Sequence, residues 1–313
     1  MPVAINNPSC IFTGANTGIG NCRISPKHIK GFILLPKSKI LTEAECQTME
    51  TTLKALFVLA SPTARAYPFI GFDNFNDASK DAAFESKGYG NEVPLDNGKY
   101  IWEFQHSMGI ELHKRLAAFN YAKNYSVIFI DNDGVYWGTK KISSGVIGFA
   151  GIDLDYFYAS PLKLATGAAS TIYTVRFALT DTKDINADVA YVKSTYSNVS
   201  ELKGIQNLFI KQVSVAANKV TVQIYTIDGI NVYDTLGSAL QATVALWLIT
   251  KLNATVTTTS VTLVPASKSF DIVATGTGVH ELKLAAPEVL ATASVGGDPG
   301  DYYESDTLTF TLP

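Results

Sequence analysis

Helical periodicity appears at only two places in this 313-residue chain, and from Gly145 onward short strand-type segments alternate with turns. A chain so patterned must build its core from sheets. The first helical stretch is Leu41 to Ala60. Thr42 and Glu45 make a T-x-x-E capping box, Met49, Leu53, Leu56, Phe57 and Ala60 recur at helical spacing, and Ser61-Pro62 stops the run. The second carries an apolar stripe of Met108, Leu112, Leu116 and Phe119. These predict helices near 42–60 and 108–119. Period-two alternation is clearest where Ile172, Thr174, Arg176 and Ala178 oppose Tyr173, Val175, Phe177 and Leu179. Segments such as VIGFAGIDLDYFY, LFIKQVSV and VTVQIYTI extend the β character. With hairpins as the main connections, the expected class is α+β: an antiparallel β-sandwich or barrel with two flanking helices.

The length suggests roughly two domains. After Ile227-Asp228-Gly229 the texture changes: Thr and Val become dense, helical signals vanish, and about seven short strands follow with a buried-looking Trp247. That pattern fits an all-β immunoglobulin-like sandwich over 229–313. Charge marks a break in a similar region. From Val220 to the end there are three Lys, no Arg and nine Asp plus Glu, a formal −6; the whole chain is −3, so the part before carries +3. Residues 1–30, rich in Asn, Gly and Pro, read as an irregular N-terminal arm, leaving 31–228 as a β-rich domain.

Within that domain, Gly98 to Lys140 packs a strand, a helix, a strand and a hairpin into one run. The turn is Asp131-Asn132-Asp133-Gly134, whose Asp-Gly pair is a hairpin signal. The long polar stretch from Asp73 to Gly98 is either an extended hairpin or a functional loop, because an unstructured loop of that length is unusual in a compact domain.

Charged residues are 17% of the chain, against roughly 25% in an average soluble domain. Surface buried between subunits explains this, and so does the strand preference for Tyr, Phe, Thr and Val. A net charge of −3 gives no general attraction to nucleic acid or anionic lipid. Cys10, Cys22 and Cys46 lack the spacing of a zinc site or a disulfide framework and are expected to be reduced structural thiols. The start, MPVAINNPSC, has no leader character, and no apolar run reaches the roughly 18 residues of a span. A cytoplasmically made, soluble product is the expectation.

Several strings invite a chemical reading. Thr13-Gly14-Ala15-Asn16-Thr17-Gly18-Ile19-Gly20 resembles the phosphate-binding turn of short-chain dehydrogenases, and Tyr136 and Lys140 supply that family's Tyr-x-x-x-Lys spacing. Context rejects both. Such a turn must follow a buried strand and open a helix, whereas Asn6-Asn7-Pro8 precedes it and Ser25-Pro26 follows closely. Tyr136 and Lys140 fall on a hairpin strand, where residues four apart are roughly 13 Å distant. Asp131 to Gly134 lacks the ligand pattern of a calcium loop, since Phe129 and Lys140 stand where oxygen ligands belong. Asp153 and Asp155 share a strand face and read as solvated edge residues.

His106 and His113 flank the second helix without metal-site spacing and read as surface or capping residues, with His113 on the polar side beside Glu111 and Lys114. His28 and His280 lie far from them in sequence. There is no G-x-S-x-G elbow. No catalytic, cofactor-binding or metal-ligating residue is therefore assigned, and no cofactor or enzymatic activity is expected. Tyr156, Phe157 and Tyr158 offer an aromatic platform for sugars if the row is exposed, and strand core if it is not.

The order of YIWEF, GIELHKRLAAFN, YSVIFID and GVYWGT resembles that of virion structural proteins of tailed bacteriophages, in particular tail-tube proteins. The resemblance covers residues 30 to 228 in arrangement and 229 to 313 in domain type. It implies a β-sandwich with a flanking helix that forms stacked hexameric rings around a channel, with an immunoglobulin-like domain outside. By the same resemblance 31–228 is the assembly domain, the 73–98 loop contacts the adjacent ring, and the arm bridges subunits. The partners so implied are further copies of the chain and other virion proteins, with no membrane and no sequence-specific nucleic acid, although a lumen would pass DNA. The location implied is the virion, assembled in the host cytoplasm. The alternatives are another virion part, such as capsid or connector, and an adhesin or carbohydrate-binding module.

Overall fold

The computed structural model describes residues 28–87, 92–96, 98–143, 145–166, 171–186, 188–193, 202–252, 254–293, 295 and 301–313. The chain divides into two compact units, Met1–Leu53 with Ala66–Leu202, and Lys54–Arg65 with Lys203–Pro313. The arm expected over 1–30 falls outside the described residues up to 27.

The first unit contains β1 (Ile29–Pro36), β2 (Tyr67–Ile70), β3 (Asn74–Asp77), β4 (Ala83–Ser86), β5 (Glu92–Asp96), β6 (Ile101–His106), β7 (Tyr125–Asp131), β8 (Val135–Ser143), β9 (Val146–Ala150), β10 (Ile152–Ala159), β11 (Tyr173–Leu179) and β12 (Val189–Lys193). Helices α1 (Glu43–Gln47), α3 (Ile110–Ala117) and α4 (Lys183–Asn186) belong to it, and α2 (Met49–Phe57) carries the chain into the second unit.

Strand β7, YSVIFID, is buried at every position and organises the sheet. It pairs antiparallel with β1 along its full length, from Pro36↔Tyr125 to Ile29↔Asp131. Its other edge is shared: β8 meets it at Phe129 and Ile130, and β10 at Ser126 and Val127. Both faces of β1 and β7 are covered, which is why they read as continuous apolar runs instead of alternating ones. Strand β10 then leaves β7 to pair with β11, which pairs with β6 and, through it, β3. The corner needs Gly151, because a Cβ there would stand 2.4 Å from Ser126 Oγ.

The antiparallel sheet so folded encloses an aromatic core centred on Phe32. Its ring lies between 4.9 and 6.1 Å, centroid to centroid, from Phe69, Phe72, Phe104, Phe157 and Phe177. The predicted capping box is present: Thr42 Oγ1 accepts from Glu45 N at 3.3 Å and Glu45 Oε2 accepts from Thr42 N at 2.7 Å. The predicted 42–60 helix is instead two helices, broken at Thr48 and ended at Phe57. The second flanking helix begins at Ile110, not 108, because Gly109 takes a φ of +92°. Met108 is consequently off the helix and exposed, while His113 and Leu116 form its buried side.

The second unit contains β13 (Ile205–Ala216), β14 (Lys219–Thr226), α5 (Tyr233–Ala242), β15 (Trp247–Lys251), β16 (Ala254–Val256), β17 (Thr258–Val264), β18 (Ser269–Ala274), β19 (Gly278–Leu284), α6 (Pro287–Thr292), β20 (Tyr302–Ser305) and β21 (Leu308–Leu312). One sheet runs β17-β18-β14-β13-β20 and the other β16-β15-β19-β21. An immunoglobulin-type sandwich sets strands A, B, E and D in one sheet and C, F and G in the other. Here β13, β14, β18 and β17 take the first four places and β15, β19 and β21 the other three, with β16 as C′. Strand β20 is an addition that pairs parallel with β13. Trp247 begins the C strand, buried against Phe270 at 5.2 Å, and its Nε1 donates to Leu240 O at 2.9 Å.

Two expectations are corrected here. The second unit starts at Lys203 and not at 229, because the hairpin of β13 and β14 pairs with β18 and β20 and shares their core. Nor is the sandwich all-β: α5 lies in the B–C connection, with Leu236 and Leu240 buried, and α6 in the F–G connection, with Pro287 and Leu290 buried.

Candidate functional site

The polar stretch 73–98 folds as extended hairpin structure. Strand β3 pairs with β6 at the sheet edge, a bridge joins Lys80 to Lys99, and β4 and β5 form a separate two-stranded ladder from Ala83↔Asp96 to Ser86↔Glu92. Its base depends on Gly98, which has a φ of +75° and whose Cβ would meet the Lys80 carbonyl at 2.5 Å. Every described side chain of β4 is exposed; Phe84 is 58% accessible, and Val93 on β5 is exposed as well. Phe84 pairs with Pro94 and Glu85 with Val93, so Phe84 and Val93 lie on opposite faces of the ladder.

A second apolar projection lies at the end of β8 and β9. Ile142 pairs directly with Ile147, and Ser143 with Val146; Ile142, Val146 and Ile147 are all more than half exposed. Lys140 and Lys141 precede them on β8. The two hairpins thus present large apolar side chains to solvent, the first on a separate two-stranded ladder and the second at the far end of strands whose other halves are buried in the sheet.

The other sequence motifs take structural roles where they are described. The Thr13–Gly20 turn lies outside the described residues. Tyr136 is buried in β8, and burial, with a smaller push from Glu50, raises its hydroxyl pKa well above the ordinary value. Lys140 sits four residues along the same strand, so the pair is set apart as a strand requires. Asp131 organises the hairpin turn: Oδ1 accepts from Asp133 N at 2.9 Å and Val135 N at 3.0 Å, and Oδ2 from Trp137 Nε1 at 3.0 Å. Asp153 and Asp155 are ion-paired, to Lys141 at 2.7 Å and to Lys99 respectively. A β-bulge between Leu154 and Tyr156 interrupts their strand.

The aromatic row splits. Phe157 enters the core, while Tyr156 and Tyr158 are half-buried on the other face. Tyr158 lies 5.8 Å from the ring of Tyr121, an exposed residue held at a φ of +62° just past α3.

The histidines depart most from expectation. His106 and His113 are buried, and α3 lays its His113 side against β10 and β11; His280 is buried on β19 of the second unit, packed on Phe310. Ring centroids of His106 and His113 are 5.7 Å apart, and Tyr173 packs on both, at 5.1 and 5.0 Å. His113 Nε2 lies 2.8 Å from the Ser160 carbonyl. Neither nitrogen of His106 has a partner, nor has His113 Nδ1. Burial, followed by the nearby His113, pulls the His106 pKa down to about 4 against a weaker opposing pull from Asp73. His106 is therefore neutral at pH 7. The sequence signal that could have found His113 is its spacing, three residues before Leu116 and so on the same helix face.

The second unit has a small polar cavity of about 200 Å³ lined by Thr250, Glu281, Lys283 and Thr307. Among the described residues no group of three or more His, Cys, Asp or Glu could hold a metal ion, and no helix is long and apolar enough to cross a membrane. No protein-family model and no curated protein matches the chain.

Proposed function

We propose that this chain is a self-assembling structural protein of a bacteriophage virion, with the tail tube the part it fits best, and not an enzyme. The observation that carries the reading is the ladder of β4 and β5, which exposes Phe84 and Val93 on opposite faces. A lone two-stranded hairpin is marginally stable in water. A neighbouring copy that covers it supplies the missing burial. The exposed Ile142, Val146 and Ile147 give the same unit a second such surface. In this reading rings form through the first unit and stack through the 73–98 segment, the 1–30 arm bridges subunits, and the immunoglobulin-like unit decorates the outside. The protein then resides in the virion after assembly in the host cytoplasm. Negative-stain microscopy of concentrated protein, with light scattering for mass, tests it: rings or tubes are expected, and dispersed monomers at all concentrations refute it.

One observation favours a second reading, a carbohydrate-binding module. Tyr121 is exposed in a left-handed backbone conformation that non-glycine residues seldom adopt, and it adjoins Tyr158. Such a pair could stack against a sugar ring. Glycan-array binding that disappears in Tyr121→Ala and Tyr158→Ala, from a protein that stays monomeric, would favour this reading over assembly.

A further inference from the structure

The cluster of His106 on β6 and His113 on α3 is left unused by either reading. A backbone carbonyl only accepts hydrogen bonds, so the 2.8 Å contact with Ser160 O fixes the proton of His113 on Nε2. Its Nδ1 is buried and without a partner, the ring nitrogen left open to a ligand. A carbonyl holding one imidazole nitrogen so that the other is free is how proteins orient metal-binding histidines. Beside it, His106 is 1% accessible and has both ring nitrogens unpartnered. Three orphaned nitrogens on two adjoining buried rings are a cost that native interiors seldom leave uncompensated.

We propose that His106 and His113 together form a two-coordinate site for a monovalent copper ion, tying α3 to the sheet. The choice of ion follows from the donor set. Zinc takes four ligands in structural sites and three plus water in catalytic ones. Among the described residues no third His, Cys, Asp or Glu joins these two, and the rings of Phe72 and Tyr173 pack against His106. Imidazole nitrogen suits copper, and cuprous copper has a filled d shell that accepts a two-ligand arrangement.

The test uses the full chain carrying Cys10→Ser, Cys22→Ser and Cys46→Ala, which removes thiols as rival ligands. Cuprous ion is offered anaerobically from its bicinchoninate complex. One equivalent per chain should move to the protein, and His106→Gln or His113→Gln should weaken uptake at least ~10-fold, the scale seen when supporting ligand interactions are lost. No copper withdrawn, as when water alone fills the site, or uptake unchanged in both variants, overturns the proposal. If a variant does not fold, X-ray absorption of the loaded parent protein decides. A two-coordinate, nitrogen-only edge upholds the site, and sulfur scattering or a higher coordination number sinks it. None of these readouts depends on whether the chain assembles.

Discussion

Phe32 shows how much of the first unit rests on single side chains. It has no accessible surface and contacts five other aromatic rings. Phe32→Ala should cost about 3–5 kcal/mol, the usual range for a phenylalanine cavity that cannot collapse; equilibrium urea unfolding measures it, and a loss under ~1 kcal/mol would contradict the packing described. Cys46 makes the opposite kind of prediction. Burial first, then the charges of Glu45 and Glu43, push its thiol up to about 12. In a Cys10→Ser, Cys22→Ser background the folded protein should resist a thiol reagent at pH 8 and react promptly in guanidinium, because only the thiolate attacks. Local context in the sequence is enough to expect an inert structural thiol here and an unproductive Tyr136–Lys140 pair. It does not reveal the burial of His106 and His113, because only the packing of α3 on β10 and β11 decides which side of the helix, and which face of β6 beside it, is covered.

At the scale of elements, the assembly reading stands on a separate two-stranded ladder whose described β4 side chains are all exposed. Phe84→Glu should leave the melting temperature of the isolated chain within about a degree, since exposed substitutions away from special features change stability by no more than ~0.5 kcal/mol. The same change should abolish rings or tubes in negative stain. Assembly that survives both Phe84→Glu and Ile142→Glu would remove the hairpins from the interface. The elements most legible in the sequence are those closed by local chemistry: the Thr42–Glu45 cap, the Asp131–Gly134 turn and the alternation of β11. Less legible is α5, whose Gly237 and Thr235 are weak helix formers although Val232, Leu236 and Leu240 repeat at four-residue intervals. Strands β13 and β14 are recognisable as strands but not as members of the second unit. Alternation shows that one face is buried; it does not say against which sheet.

At the scale of the whole molecule, the chain's connectivity makes the second unit discontinuous, with residues 54–65 inserted from upstream. Its acid response should be its own. The Asp271 carboxyl is pushed up by burial, the largest single influence, but hydrogen bonds from Lys219 and Thr221, both at 2.7 Å, and the Lys219 charge together hold its pKa below the ordinary 3.8. A depressed folded pKa gives stability that is present above the unfolded value and lost as pH falls through the folded one. Asp271→Asn should therefore destabilise at pH 7, with the difference from the parent shrinking below about pH 4 as the parent's own carboxylate protonates. The inserted segment makes a sharper claim. Arg65 is 4% accessible and grips Glu304 on β20 with both terminal nitrogens, at 2.7 and 3.0 Å. It also donates to the Leu59 and Ala60 carbonyls, so one guanidinium closes the segment on itself and joins it to the sheet. Glu304 keeps partial solvent access, so its exposure softens the loss; Arg65→Ala should cost about 1.5–3 kcal/mol, the range for hydrogen bonds to a charged group. A fragment beginning at Lys203 lacks this whole arrangement and should unfold at lower urea than a fragment in which residues 54–65 are fused ahead of it by a flexible linker. The same fusion carrying Arg65→Ala should lose most of that gain. Equal midpoints for all three would mean that the inserted segment is a passenger rather than a strut of the sandwich.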